Sequence, residues 1–228
     1  YAVGWYYIYS LKYTYPMRIC GVDEAGKGPV LGPMVTAGVL VLDPSELETL
    51  GIKDSKKLTP KKRESLFEEI ISSWQTYTVV RTPLEIDTRE CTMNAFTAAC
   101  HAEVVRALHP DHIFLDACDV NAKRFGDTVL QLSGISAEIC SEHKADAKYS
   151  VVGAASIVAK VTRDRYITEL TSEYGEIGSG YPSDCLTIEF LTEYIHTHGE
   201  PPTCARRSWQ TVQNIIDRSR QTGLSDFF

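Results

Sequence analysis

No two cysteines in this chain have Cys-x-x-Cys spacing, and the seven present are odd in number. That excludes a disulfide framework and a cysteine-based zinc site, and predicts reduced thiols in a cytoplasmic protein. Basic residues are not in excess. Lys and Arg number 23 against 30 Asp and Glu, a formal net charge of −7, so no global positive field draws the chain to nucleic acid. Only residues 53–63 run the other way, with six basic residues and one acid, Asp54; a solvated helix face is the plain explanation of such a run. Repeats and low-complexity tracts are missing as well. Residues 1–16 are crowded with Tyr1, Trp5, Tyr6, Tyr7, Tyr9, Tyr13 and Tyr15 around a single charge, Lys12. They lack a basic leader region, a small-residue cleavage site and the length to cross a membrane. With the first methionine at Met17, this segment reads as an upstream extension outside the chemistry, or else as an added edge strand.

What the chain does have is a mixed α/β pattern. Hydrophobic residues make up 43% of 228 residues, enough for one substantial core. Runs rich in Val, Ile and Leu predict strands at 18–22, 34–42, 75–81, 111–116 and 137–141. Thr59-Pro60 is a helix start, with Thr as N-cap and Pro at the first helical position, and Leu66, Phe67, Ile70 and Ile71 supply its apolar stripe. Further helices are expected at 91–108, 150–170, 186–196 and 206–218. Strands first and helices later suggest a mixed sheet with helices packed around it.

The chemistry concentrates in Gly21-Val22-Asp23-Glu24-Ala25-Gly26-Lys27-Gly28. Two adjacent carboxylates close an apolar strand, and a glycine-flanked lysine follows at once. Acids in that position suit a hard cation, and Gly26-Lys27-Gly28 lets backbone come close to a phosphate or sugar. Neighbours on a strand point to opposite faces, so Asp23 is expected to face the site, with Glu24 reaching it where the strand ends. Asp116 ends another apolar run, and Asp146 precedes the long helix, where the helix dipole favours negative charge. Four such acids meeting at one end of a sheet cannot all stay ionised without cations. Two Mg²⁺ or Mn²⁺ ions about 4 Å apart would hold them together and clamp a phosphodiester for attack by water. In isolation, Asp146 also reads as a helix cap, and Asp116 could equally meet a Lys or Arg.

These residues carry a resemblance. Residues 21–32, Asp54-Ser55-Lys56-Lys57-Leu58, Asp116, residues 144–164 and Gly178-Ser179-Gly180-Tyr181-Pro182 resemble the signature segments of ribonuclease HII, the type 2 ribonucleases H, in family order over roughly residues 17–215. The resemblance implies a ribonuclease H-like fold with a C-terminal helical extension. It implies an endonuclease that cleaves the RNA strand of RNA–DNA hybrids and the 5′ side of single ribonucleotides in duplex DNA, leaving 5′-phosphate and 3′-hydroxyl ends. The roles implied are ribonucleotide removal, primer removal, and DNA replication and repair. Asp23, Glu24, Asp116 and Asp146 match the family's metal-binding acids. Gly26, Lys27 and Gly28 match its substrate loop, with lysine in place of the usual arginine. Lysine keeps the charge but loses the planar fork. Tyr181 matches the tyrosine that packs on the sugar at the junction, and Lys56 and Lys57 resemble phosphate-contacting lysines. Lys160 and Arg163 lie in a motif-matched helix.

The last residues add a partner. In Gln221-Thr222-Gly223-Leu224-Ser225-Asp226-Phe227-Phe228, a helical turn puts Leu224 and the pair Phe227 and Phe228 on one face, with Gln221 as polar anchor. This resembles the motif by which replication and repair enzymes bind a sliding clamp, PCNA. The expected organisation is an extension (1–16), a catalytic domain (17–184), a C-terminal helical region (185–220) and a clamp-binding tail (221–228), in a monomer with no membrane segment. The competing readings are a clamp-bound adaptor without catalysis and another ribonuclease H-fold nuclease.

Overall fold

Five strands form one mixed sheet in the order β3-β2-β1-β4-β5: β1 (Ile19–Ala25), β2 (Met34–Val41), β3 (Gln75–Arg81), β4 (His112–Asp116) and β5 (Glu138–Glu142). The computed structural model describes residues 16–52 and 58–225, without the side chains of 221–225. β1, β2 and β3 pair antiparallel, whereas β4 lies parallel to β1 and β5 parallel to β4. The central position of β1 follows from its apolar residues on both faces. Ile19 and Ala25 pack on one side and Cys20 and Val22 on the other. Unlike the expected 18–22 strand, β1 runs past Val22 to Ala25. Antiparallel pairing to β2 continues through Asp23↔Ala37, Glu24↔Thr36 and Ala25↔Val35, so both acids lie within the strand.

On the Ile19 face lies the long helix α7 (Ser150–Tyr174). Its first turns are buried small and β-branched residues, Val151 to Ala155. Gly21 lets that turn meet β1 backbone to backbone, because a Cβ there would stand 2.3 Å from the Val151 carbonyl carbon. Beside α7 runs α2 (Pro60–Ser73), capped by Thr59 as expected. Leu66, Phe67 and Ile70 are buried, but Ile71 is 40% exposed, so the apolar stripe is narrower than the sequence suggested. Arg165 stacks over Phe67 and pairs with Glu64 and Glu68, tying the two helices together.

The opposite face is covered by α4 (Met93–Leu108) and α5 (Ala122–Ser133). Sequence reasoning missed α5, although Asn121 caps its start and Gly134 ends it in the left-handed region. Short helices α1 (Ser45–Glu48), α3 (Pro83–Asp87) and α6 (Ala145–Lys148) fill connections. The last two helices, α8 (Cys185–His198) and α9 (Gln210–Ser225), build a third cluster with Val30 and Leu31. α9 starts later than the expected 206 because Arg206 is buried in the preceding loop. Among the described residues, no helix is long and apolar enough to cross a membrane.

Candidate active site

Strand alternation sorts the acids. Asp23 shares the Gly21 face of β1, towards α7; Glu24 shares the Cys20 and Val22 face, towards α4. Asp116 ends β4 next to β1, on the side of Phe114, and so lies on the Asp23 side. Asp146 comes from the first turn of α6, and the Ala145 N–H donates to Asp116 Oδ1 at 3.1 Å. Asp23, Asp116 and Asp146 each offer an oxygen within 4.8 Å of the others'. Asp23 and Asp146 are buried.

Such a cluster is electrostatically costly. Burial pushes the Asp23 carboxyl well above the usual range, and neighbouring Glu24 and Asp116 push it the same way; the Ser156 hydroxyl and the Glu24 N–H, 2.7 Å from Asp23 Oδ1, oppose them. An all-oxygen, mutually repelling set fits a hard divalent cation. Asp23, Glu24 and Asp116 line a cavity of about 450 Å³ that also takes in Ser156, Arg63 and Lys160. Glu24 lines this cavity from the other pleat face, and its Oε2 lies 2.9 Å from His101 Nε2.

Gly26-Lys27-Gly28 and Tyr181 complete the lining. Gly26 has φ 82°, and a Cβ there would lie 2.6 Å from the Pro33 carbonyl oxygen, so the turn requires glycine. The loop is held from behind. Arg206, fully buried, donates to the carbonyls of Gly26 (2.5 Å), Lys27 (3.0 Å) and Gly32 (3.0 Å), and Trp209 donates to that of Gly28 at 3.3 Å. In planar trans peptides the Lys27 and Gly28 N–H groups oppose the Gly26 and Lys27 carbonyls, and so point away from Arg206, in a loop that lines the cavity. The Lys27 ammonium is engaged with protein, donating to Asn94 Oδ1 (2.7 Å) and the Cys118 carbonyl (3.0 Å). Burial, with Glu24 adding to it, pushes the Cys118 thiol beside it up to about 11.

Tyr181 is brought to the loop by two contacts. Val30 N–H donates to Gly180 O at 2.8 Å, and the buried Arg163 guanidinium lies 5.1 Å from the Tyr181 ring centre while donating to Ser179 O at 2.8 Å. Lys160 reaches the cavity wall while paired with Asp164 at 2.6 Å. Lys56 and Lys57 lie outside the described residues, as do Phe227 and Phe228; Gln221 and Leu224 are described only as backbone of α9. Sequence reasoning missed Ser156, His101, Arg206 and Trp209. For His101 a signal existed: it occupies an apolar-stripe position of α4 between Thr97 and Val105, both buried.

The family model described as Ribonuclease HII matches residues 20–212. Ribonuclease HII of Methanocorpusculum labreanum is 80% identical over 212 residues, covering 93% of this chain and all of that protein. The crystal structure of the ribonuclease H2 from Pyrococcus horikoshii superposes with a TM-score of 0.86 at 44% identity, covering 90% of this chain and all of that one. The ribonuclease HII of the PCNA complex from Archaeoglobus fulgidus gives a TM-score of 0.80 at 42% identity, over 85% and 96% of the two chains. The matched span takes in the sheet, the acids, the loop and the arginine behind it, and the chain therefore belongs to the ribonuclease HII family of metal-dependent endonucleases.

Proposed function

We propose that this cavity cleaves the RNA strand of RNA–DNA hybrids and the 5′ side of single ribonucleotides embedded in duplex DNA, leaving 5′-phosphate and 3′-hydroxyl ends. The observation that carries the reading is the meeting of two unlike surfaces on one cavity: Asp23, Glu24 and Asp116, with buried Asp146 within 4.8 Å of Asp23 and Asp116 behind them, and the Gly26-Lys27-Gly28 loop with Tyr181. Asp23, Asp116, Asp146 and Glu24 are the groups to hold two Mg²⁺ or Mn²⁺ ions. Bound there, the ions supply Lewis acidity, neutralising charge on the phosphodiester and lowering the pKa of the attacking water. The chain's own part is positioning. The Lys27 and Gly28 N–H groups are suited to a phosphate or a ribose 2′-hydroxyl, and the Tyr181 face to the sugar beside it. A 2′-hydroxyl is the chemical difference between RNA and DNA, so a loop and ring that read it can select the junction. Lys56 and Lys57 are proposed to contact phosphate on the approaching duplex. Residues 185–220 serve the catalytic segment 17–184 as the support of that loop, and residues 1–16 stand outside the chemistry.

The test is cleavage, with Mg²⁺ and with Mn²⁺, of a DNA duplex bearing one ribonucleotide, with the ends of the products identified. Tyr181→Ala is expected to lower kcat/KM on that duplex by about tenfold, in the range of one lost stacking contact, while a long hybrid suffers much less. Equal losses on both substrates would remove Tyr181 as junction reader.

We also propose that the tail binds a sliding clamp through Gln221, Leu224, Phe227 and Phe228, placing the enzyme at replication and repair sites. Support comes from the run of α9 to Ser225 and from the PCNA complex formed by the Archaeoglobus relative. Replacing Phe227 and Phe228 with Ala should weaken clamp binding about 30-fold or more, as expected for a hot-spot aromatic anchor, and leave cleavage of free duplex unchanged. Clamp affinity equal to the parent's would end this proposal.

A further inference from the structure

Glu24 presents a geometric problem that Asp23 does not. It points to the α4 face of β1, away from the Asp23, Asp116 and Asp146 oxygens, yet it lines the same cavity. A glutamate side chain free to rotate at a cavity mouth gives up rotamer entropy each time it ligates. Something has to hold it.

The holding group is His101. Its side chain is fully buried on α4, and its ring meets Phe125 edge-on, with centroids 5.1 Å apart and planes at 81°. Nε2 lies 2.9 Å from Glu24 Oε2, and the Glu24 side chain is only 10% exposed. Nδ1 is buried without a hydrogen-bond partner. A buried N–H with no acceptor costs more than a buried lone pair, so the ring carries its hydrogen on Nε2 and donates it to the carboxylate. Phe125 against the ring and its complete burial keep it from turning away.

We infer that His101 is a positioning residue that fixes Glu24 and thereby sets the affinity of the cation step Glu24 serves. With Oε2 held by the imidazole, the Glu24 carboxylate is fixed in place and still has lone pairs on both oxygens to offer an ion. The inference rests on the two-cation reading above. It assigns to α4, which contributes none of the four acids, a share in building the metal centre.

The experiment is calorimetric titration of Mn²⁺ into the substrate-free protein. His101→Phe keeps a buried aromatic ring, slightly larger, but removes the donor; His101→Gln restores a donor close to the Nε2 position. The expected result is that His101→Phe retains one cation step and weakens the other about 10- to 100-fold, the usual range for a lost partner of a metal ligand. His101→Gln recovers most of that affinity. In turnover, the His101→Phe defect is relieved by excess Mn²⁺, with KM for the duplex unchanged. Parent-like binding of both ions by His101→Phe would overturn the inference. So would equal weakening in the two variants, which would mark the ring as packing alone. A parent protein that binds no pair of ions would instead overturn the two-cation reading itself, so the two failures are told apart.

Discussion

Asp23→Asn should inactivate the enzyme and stabilise it at the same time. The carboxylate belongs to the three-acid cluster, and its loss should lower cleavage about a thousandfold or more, the rate equivalent of several kcal/mol of charge stabilisation. Stability moves the other way. Burial and the neighbouring Glu24 and Asp116 hold the Asp23 carboxyl well above its unfolded value. For an acid raised on folding, the favourable contribution is complete below the unfolded pKa and is lost as pH rises through the folded one. At neutral pH the cation-free fold therefore strains against its own cluster. Asparagine keeps an acceptor for the Glu24 N–H, and its amide can donate to the neighbouring carboxylates. Thermal melting in chelator should show the variant above the parent at pH 7, by roughly 2–4 °C for each kcal/mol relieved, with the gap closing towards acid pH. Divalent cations should raise the parent's midpoint and close the gap from the other side. A variant that melts below the parent at neutral pH in chelator would refute this account of the cluster.

Arg206→Met should damage the fold and the Gly26-Lys27-Gly28 loop together. The guanidinium is the shared donor to Gly26, Lys27 and Gly32 carbonyls and lies 5.2 Å from the centre of the Trp209 ring. Burial, with nearby Arg163 adding to it, pushes its pKa down to about 9, so it stays charged at neutral pH. Methionine fills the space and donates nothing. Each stranded acceptor costs about 1–3 kcal/mol. At a few degrees per kcal/mol, the melting point should fall by on the order of 10 °C. The acids on β1 and β4 are untouched, so Mn²⁺ affinity should persist in the folded variant at low temperature. Its kcat/KM on a single-ribonucleotide duplex should fall at least about tenfold, as expected when positioning N–H groups drift. Arg206→Lys, a point donor without the planar fork, should be intermediate. Full activity in Arg206→Met would show that the loop holds its own shape.

The strands were legible because apolar runs bounded by Gly, Pro and acids depend on local pattern alone. So was the capped start of α2 at Thr59-Pro60. The acids drew notice because Asp116 closing an apolar strand calls for a partner; a Lys or Arg would have served as well as a cation, and it is the fold that sets it beside Asp23 and Asp146. Less legible was anything set by a distant partner. The extension of β1 to Ala25 comes with its pairing to β2, beyond the apolar run that marks the strand in the sequence. α5 escaped notice behind the polar Asp119-Val120-Asn121 turn, with Gly126 inside it. That glycine gives α5 room beside β5: a Cβ at Gly126 would stand 2.7 Å from the Ser141 side chain. Arg206 looked like the start of a helix, and only the fold reveals it as the anchor of a loop near the other end of the chain.

That anchor has a temporal consequence. Gly26 and Arg206 are 180 residues apart. Contacts of such long range form late, after the intervening chain has collapsed. During synthesis the chain therefore acquires its carboxylates early, but the Gly26-Lys27-Gly28 loop, proposed above to read the ribose, gains its support only after Arg206 and Trp209 emerge from the ribosome. If that reading of the loop holds, selectivity for RNA over DNA is among the last properties this enzyme gains as it is made.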